Sequence, residues 1–189
     1  LKYRSQSLDL LAGPVVMGIL NVTPDSFSDG GQFPDAGAAI ERGLEMAAQG
    51  AKIIDVGGES TRPGAKPVAV DEQIRRVTPV IEGLTRQTDV VISVDTTQSK
   101  VAQAALDAGA AMINDITALG ADSQLAKLIA SHKAAIVLMH MQGQPQTMQK
   151  KPRYINILQE VTRFLQQRID QALQAGIGEN CIVIDPGIG

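Results

Sequence analysis

The feature that most constrains the fold of this 189-residue chain is a regular alternation of strand-like and helix-like segments. Short apolar runs bounded by turn residues are typical of strands buried on both faces, and stretches with helical spacing separate them. This alternation predicts parallel strands joined by right-handed helical crossovers. The strands are predicted at residues 15–22, 52–58, 90–96, 111–116, 134–141 and 181–187, and the helices at 35–50, 70–87, 97–108, 123–131 and about 155–175.

Two α/β architectures fit such a pattern: an open, doubly wound sheet and an eight-stranded barrel. The placement of polar residues favours the barrel, because strand after strand ends in a hydrogen-bonding side chain. In a (β/α)8 barrel all the C-terminal strand ends converge on one mouth, whereas an open sheet uses mainly the crevice at its switch point. The polar residues at the predicted strand ends are Asn21, Asp55, Asp95, Asn114, His140 and Asp185.

The pattern contains six strands, two fewer than a closed TIM-type barrel requires. The sequence starts at Leu1 rather than at a methionine and stops directly after the sixth strand. We therefore expect residues 1–189 to form a single barrel domain that is truncated after its sixth strand, with strands seven and eight absent. Its first and sixth strands are then expected to carry unpaired edges.

Composition argues against several classes of protein. A net charge of −3 gives no basic footprint for nucleic acid. No apolar run reaches the roughly 18 residues of a membrane span. The single cysteine, Cys181, permits no internal disulfide and fits a reducing compartment. We expect a cytoplasmic protein that binds neither nucleic acid nor a membrane.

Asn21 ends the first predicted strand directly before a Val-Thr-Pro turn. One interpretation is an asparagine that stabilises the turn or caps a helix. The other is an amide oxygen aimed into the mouth, where Mg²⁺ would hold it together with phosphate oxygens. A single amide is a weak ligand, so the metal would arrive largely with its phosphates.

Asp95, Asn114 and Asp185 occupy equivalent positions at the ends of three other predicted strands. Each carboxylate alone is explained by a helix cap or a partner arginine. Taken together, the three side chains form a set of acceptors plus an amide, suited to the N–H and C=O edge of a flat heterocycle. Buried polar groups need partners, and a ligand would supply them.

A glycine- and proline-rich loop, residues 57–67, follows the second predicted strand. It is either a long surface turn or a lid in which Thr61 and Arg62 clamp a phosphate or a carboxylate. His140 has no second histidine or cysteine near it in sequence, which argues against zinc. Met139 beside it is expected in a pocket wall or in the core. No Gly-rich dinucleotide fingerprint, Walker pattern or Ser-His-Asp set is present.

These segments resemble bacterial dihydropteroate synthase, the folate-pathway enzyme that sulfonamides inhibit. The resemblance rests on "GILNVTPDSFSDGG", "DVGGESTRPGA", "SVDT", "INDI", "LMHMQG" and "IDPGIG", which occur in the family's order and spacing across the whole chain. It implies an eight-stranded barrel and a homodimer. It also implies condensation of 6-hydroxymethyl-7,8-dihydropterin diphosphate with p-aminobenzoate, with release of pyrophosphate.

Site residues follow from the same resemblance. It implies that Asn21 is the Mg²⁺ ligand beside the diphosphate, and that Asp95 also stabilises positive charge developing on the pterin ring. His140 receives no catalytic role. The implied pterin-binding residues are Asp95, Asn114, Asp185 and Met139, and the implied diphosphate and aminobenzoate residues are Thr61, Arg62, Pro63 and Phe27.

The chain departs from the family in length, because the family continues past "DPG" with two strands that supply a lysine and much of the anion pocket. We therefore expect the 189-residue chain by itself to be inactive or nearly so, and the full-length form to be an active synthase. Two alternatives stay open. One is a pterin-binding methyltransferase that passes a methyl group from methyltetrahydrofolate to a corrinoid protein, and the other is a non-catalytic fragment.

Overall fold

A computed structural model describes residues 1–23, 35–59, 67–143 and 152–188 of the chain. A short antiparallel hairpin comes first, and a larger parallel sheet with its helices follows. The elements in chain order are β1 (Lys2–Tyr3), β2 (Gln6–Ser7), β3 (Met17–Asn21), α1 (Ala36–Ala48), β4 (Ile53–Gly57), α2 (Val70–Gln87), β5 (Val91–Asp95), α3 (Ser99–Asp107), β6 (Met112–Asp115), α4 (Leu125–His132), β7 (Ala135–Met139), α5 (Ile157–Gln174), a 3-10 turn (Glu179–Cys181) and β8 (Ile182–Asp185).

The six strands of the large sheet are parallel and lie in sequence order, β3-β4-β5-β6-β7-β8. A doubly wound sheet reverses its strand order at a switch point, and no reversal occurs among the described strands. The helices also follow one another around the sheet, with α1 against α2, α2 against α3 and α3 against α4. The predicted parallel alternation is confirmed, and the architecture is the arc of a TIM-type barrel.

Alternating side chains of the strands build two separate hydrophobic cores. Outward residues such as Ile54 and Val94 are fully buried beneath the helices in the larger core. Inward residues near the strand starts, such as Ile53 and Val91, form a smaller core with Tyr3 of the hairpin. The hairpin therefore closes the N-terminal end of the sheet and leaves the C-terminal end as the place for a site. The sequence analysis did not predict this hairpin.

Helix boundaries follow the predictions within a few residues, and the local capping explains the differences. The helix predicted from about residue 155 begins at Ile157, because the Asn156 side chain accepts from the Gln159 N–H at 3.2 Å. Glu160 completes the cap by accepting from the Ile155 and Asn156 N–H groups. This helix was predicted to be the longest, but α2 and α5 both have 18 residues. None of the helices that the structure describes is long and apolar enough to cross a membrane.

Candidate functional site at the mouth of the sheet

The polar residues predicted at strand ends converge at the C-terminal edge of the sheet. In the strand register, Asn21 lies beside Gly57, Gly57 beside Asp95, and Asp95 beside Asn114. Positions opposite one another in a parallel sheet project to the same face. Four neighbouring strands therefore present one continuous row across the inward face, which we call the mouth row.

Asp185 and Met139 pair with each other at the ends of β8 and β7, on the far side of the mouth. The Asp185 carboxylate accepts a hydrogen bond from the Gly187 N–H at 2.7 Å, which fixes the turn after the strand. Gly187 has a φ of 71°, and a Cβ at this position would lie 2.1 Å from the His140 carbonyl oxygen. Asp185 thus does stabilise a turn, and that bond occupies only one of its two carboxylate oxygens.

Gly57 lets the Asn21 side chain lie close to the backbone in the middle of the mouth row. A Cβ at this position would lie 3.2 Å from Oδ1 of Asn21 and 3.9 Å from Cβ of Asp95. Its φ lies outside the left-handed region, so the backbone conformation does not require glycine. Glycine is instead required for space, because a side chain here would push the Asn21 amide out of its place.

Asp95 sits in an unfavourable environment for a negative charge. Burial, followed by repulsion from Asp55, Asp115 and Glu59, raises its pKa to about 8. No residue in the described part of the chain donates a hydrogen bond to this carboxyl group. The surroundings therefore disfavour the ionised form of Asp95, and a positively charged group beside it would favour that form.

Asp55 was counted among the strand-end residues, but the structure places it in the middle of β4, two residues before the strand ends. It is 4% exposed, and its Oδ2 accepts from Nδ2 of Asn114 at 2.8 Å. Its Oδ1 and the nearby Ser93 hydroxyl are both buried without a hydrogen-bond partner among the described residues. The Ser93 hydroxyl lies close to this carboxylate but outside hydrogen-bond geometry. Burial raises the pKa of Asp55, and the nearby Ser93 hydroxyl and the Asn114 amide oppose this rise. Neither Asp55 nor Ser93 is among the predicted pterin- or metal-binding residues.

The loop after β6 is braced by Asp115, which is fully buried. Its carboxylate accepts from the N–H and hydroxyl of Thr117 at 2.8 and 2.7 Å and from the Leu119 N–H at 2.6 Å. These bonds hold Ala118 and Leu119 at φ values of 49° and 64°, which are unusual for residues with a side chain. Asn114, directly before Asp115, is consequently anchored on a rigid turn.

The two ends of the glycine- and proline-rich loop are tied together by side chains. Glu59 accepts from the Val68 N–H at 3.0 Å and from the Gln73 side-chain amide at 2.9 Å, and Arg76 donates to the Gly58 carbonyl at 3.1 Å. Residues 58 and 68 are thereby fixed on helix α2 beside the mouth. Four predicted site residues lie outside the residues that the structure describes. They are Thr61, Arg62 and Pro63 of this loop, and Phe27 earlier in the chain.

His140 is buried directly after β7 and packs on aromatic rings. Its ring lies 5.0 Å from Phe164 in an edge-to-face arrangement and 6.0 Å from Tyr154. Its backbone N–H donates to the Asp185 carbonyl at 2.8 Å. These contacts give His140 a packing role that ties α5 to the end of the sheet.

Within the described residues, no group of three or more His, Cys, Asp or Glu side chains is arranged to hold a metal ion. The mouth nevertheless fits a hard cation that brings its own ligands. Asn21 offers a neutral oxygen at the exposed end of β3, and Mg²⁺ commonly takes one or two protein oxygens together with waters and substrate phosphates.

Comparison with known proteins gives a consistent result. Residues 17–189 match the family of pterin-binding enzymes. A curated dihydropteroate synthase of Escherichia coli K12 is 47% identical over 183 residues, which are 97% of this chain and 64% of that protein.

Two solved structures add to this comparison. A Yersinia pestis dihydropteroate synthase in a sulfonamide drug complex aligns with a TM-score of 0.90 and 45% identity, over 100% of this chain and 68% of that one. A Xanthomonas albilineans dihydropteroate synthase in complex with 7,8-dihydropteroate aligns with a TM-score of 0.79 and 44% identity, over 93% and 61%. This chain therefore spans about 61–68% of the length of these relatives.

Proposed function

The chain belongs to the pterin-binding enzyme family, in its dihydropteroate synthase group, and on that premise we propose the activity of the whole protein. The whole protein joins 6-hydroxymethyl-7,8-dihydropterin diphosphate to p-aminobenzoate and releases pyrophosphate, forming 7,8-dihydropteroate. The activity belongs to the whole protein because this chain spans only part of the relatives' length. The open edges of β3 and β8 also support inactivity of the 189 residues alone.

The observation that carries this proposal is the mouth row together with Asp185. Asn114 and Asp95 stand side by side on neighbouring strands, and Asp185 lies across the mouth on β8. A carboxylate accepts hydrogen bonds, and an amide both donates and accepts them. Such a set matches the alternating donors and acceptors of a pterin edge. Met139, paired with Asp185, supplies an apolar surface next to it.

Asn21 is the residue that would hold Mg²⁺, through its amide oxygen beside Gly57. The metal, when bound, would neutralise charge on the diphosphate and make pyrophosphate a better leaving group. The absence of a side chain at Gly57 leaves the Asn21 amide undisplaced.

The chemistry requires little proton transfer from the protein. The bond from the pterin methylene to the diphosphate oxygen breaks, and positive charge develops over the ring. The amine nitrogen of p-aminobenzoate then forms a bond to the methylene carbon, and the proton it loses passes to the departing pyrophosphate or to water. The Asp95 carboxylate stabilises the developing charge, because a cation beside it favours its ionised form.

The remaining site residues come from the family motifs. Thr61 and Arg62 bind near the diphosphate and the aminobenzoate, and Phe27 and Pro63 shape the aminobenzoate slot. The whole protein is also a sulfonamide target, which is supported by the sulfonamide complex of the Yersinia pestis relative. The whole protein acts as a homodimer in the cytoplasm, and the free Cys181 is compatible with a reducing compartment.

A pterin-binding methyltransferase is the competing function, because it needs the same heterocycle pocket. It needs no diphosphate site, and the exposed Asn21 amide at the end of β3 favours the synthase. Isothermal titration of the whole protein with the pterin diphosphate, with and without Mg²⁺, separates the two. The synthase gives binding that Mg²⁺ strengthens at least about tenfold, which corresponds to 1.4 kcal/mol. Metal-independent binding would contradict the synthase.

A further inference from the structure

The buried position of Asp55 is unfavourable for a carboxyl group. It lies on the inward face of β4 at 4% exposure, with the inner apolar core on one side and the mouth row on the other. One carboxylate oxygen has no hydrogen-bond partner among the described residues. A buried carboxyl group without full compensation destabilises the fold, and an apolar residue of similar size would not. Packing therefore does not account for a carboxyl group at this position.

Its one hydrogen bond reaches directly into the proposed pterin site. Nδ2 of Asn114 donates to Oδ2 of Asp55 at 2.8 Å, across the intervening strand β5. This hydrogen bond fixes the orientation of the Asn114 amide, because only its nitrogen can donate to the carboxylate and its oxygen must then lie on the other side. The Asn114 carbonyl oxygen and one remaining N–H are left to face the mouth.

This orientation persists whether or not Asp55 carries a proton. A proton on the unpartnered Oδ1, next to the Ser93 hydroxyl, still leaves Oδ2 as an acceptor for Asn114. The backbone of Asn114 is held separately by the Asp115 turn. Backbone and side chain of Asn114 are therefore fixed by two different carboxyl groups.

We propose that Asp55 is a positioning residue of the pterin site: it holds the Asn114 amide so that its carbonyl oxygen is presented to the ligand. This inference rests on the proposed function for the identity of the ligand. Asp55 acts through Asn114 and does not itself contact the pterin. Placing the Asp55 carboxyl group beneath the pterin site supplies an acceptor for Asn114 but leaves Oδ1 without a hydrogen-bond partner among the described residues.

Two substitutions at the same position test this role in the whole protein, with 7,8-dihydropteroate as the titrated ligand. Asp55→Leu removes the acceptor with little change in size and is expected to weaken binding by about tenfold to a hundredfold. Asp55→Asn keeps an acceptor oxygen for Asn114, and its amide can donate to Ser93, so affinity should stay within about threefold. A charge-based role would make both variants equally poor and would overturn the proposal.

Thr78→Val is a matched control, since the Thr78 hydroxyl is also buried without a partner among the described residues but lies on α2, away from the mouth. It should leave dihydropteroate affinity unchanged. Asp55→Leu leaves the Asn114 amide without its acceptor, so urea unfolding should first establish that the variant is folded. In an Asn114→Ala background, Asp55→Leu should weaken binding no further, and an additive loss would contradict action through Asn114.

A ligand-free measurement decides the inference even if the proposed function fails. In ¹⁵N-labelled protein, one side-chain amide proton of Asn114 should exchange slowly in the wild type, in Asp55→Asn and in Thr78→Val, and rapidly in Asp55→Leu. Equal exchange in all four proteins would overturn the positioning role. Wild-type protein that binds no dihydropteroate would instead refute the proposed function.

Discussion

The side-chain amide of Gln73 donates to the carboxylate of Glu59 at 2.9 Å and also to the Val68 carbonyl at 2.9 Å. Gln73 is 2% exposed, and Glu59 accepts in addition from the Val68 N–H. One buried glutamine on α2 therefore fixes both ends of the segment that carries Thr61 and Arg62. We call these hydrogen bonds of Gln73 with Glu59 and Val68 the clamp. The clamp fixes the ends of the segment that carries the proposed diphosphate residues.

Gln73→Met should loosen both ends of that segment. It removes two hydrogen bonds, one of them to a carboxylate, and is expected to lower the free energy of unfolding by about 1.5–3 kcal/mol. Urea unfolding measures this loss, and the KM for p-aminobenzoate should rise in the same variant. Gln87→Met is the control, because Gln87 lies at the exposed end of the same helix. An unchanged KM in Gln73→Met would contradict the role of the clamp.

Gly57→Ala should displace the Asn21 amide in the mouth row while leaving the fold intact. The added Cβ would lie 3.2 Å from Oδ1 of Asn21, so binding of the pterin diphosphate with Mg²⁺ should weaken by about tenfold or more. Gly178→Ala is the matched control, because its Cβ would lie 3.3 Å from the Asn180 side-chain oxygen, beyond the opposite end of the sheet. Equal calorimetric affinities for the two variants would argue against a bound group at Asn21.

Stability should fall as the pH rises, because of Asp95. Its folded-state pKa of about 8 lies above the ordinary value of 3.8, so the folded protein binds the extra proton between those values. The stabilisation is full below about pH 4 and is lost as pH rises through about 8. In metal-free buffer, this carboxyl group contributes a slope of at most about 1.4 kcal/mol per pH unit to the free energy of unfolding.

Asp95→Asn should flatten that slope, since the amide does not titrate. Asp55 shifts in the same direction, so some dependence should remain. Glu82→Gln, a change at an exposed residue of α2, should leave the wild-type slope unchanged. A slope that is equal in wild type and Asp95→Asn would contradict the raised pKa.

The mouth row was predictable from the sequence, because an apolar run that ends in a polar residue is visible within a few neighbouring positions. Asn21, Asp95 and Asn114 follow apolar runs, and the equivalence of such positions in a barrel brings them together. Asp55 was misplaced because nothing in "IIDVGG" marks where the strand stops, and the strand continues through Val56 and Gly57.

Other features depend on contacts between distant segments. The hairpin at Lys2–Tyr3 has strands of two residues, too short for any periodicity. The pKa of Asp95 depends on carboxyl groups from β4 and β6, and the orientation of Asn114 depends on a bond to a residue 59 positions away. Local sequence patterns carry no information on such pairings.

Asn21→Ala should remove the protein's contribution to metal binding without unfolding the domain. The Asn21 side chain is exposed at the end of β3, and its loss leaves the strand pairing with β4 intact. The gain in pterin-diphosphate affinity on adding Mg²⁺ should shrink by about tenfold in calorimetry. If the variant unfolds instead, Asn21 is a structural residue of the turn.

The most direct test of the proposed synthase activity is to measure product formation. The whole protein, supplied with 6-hydroxymethyl-7,8-dihydropterin diphosphate, p-aminobenzoate and Mg²⁺, should form 7,8-dihydropteroate and pyrophosphate in equal amounts, followed by chromatography and a coupled phosphate assay. Asp95→Asn should slow this reaction by about a hundredfold, as expected when one electrostatic stabiliser is lost. If the whole protein is folded and binds the pterin diphosphate but forms no dihydropteroate, the proposed synthase activity is wrong.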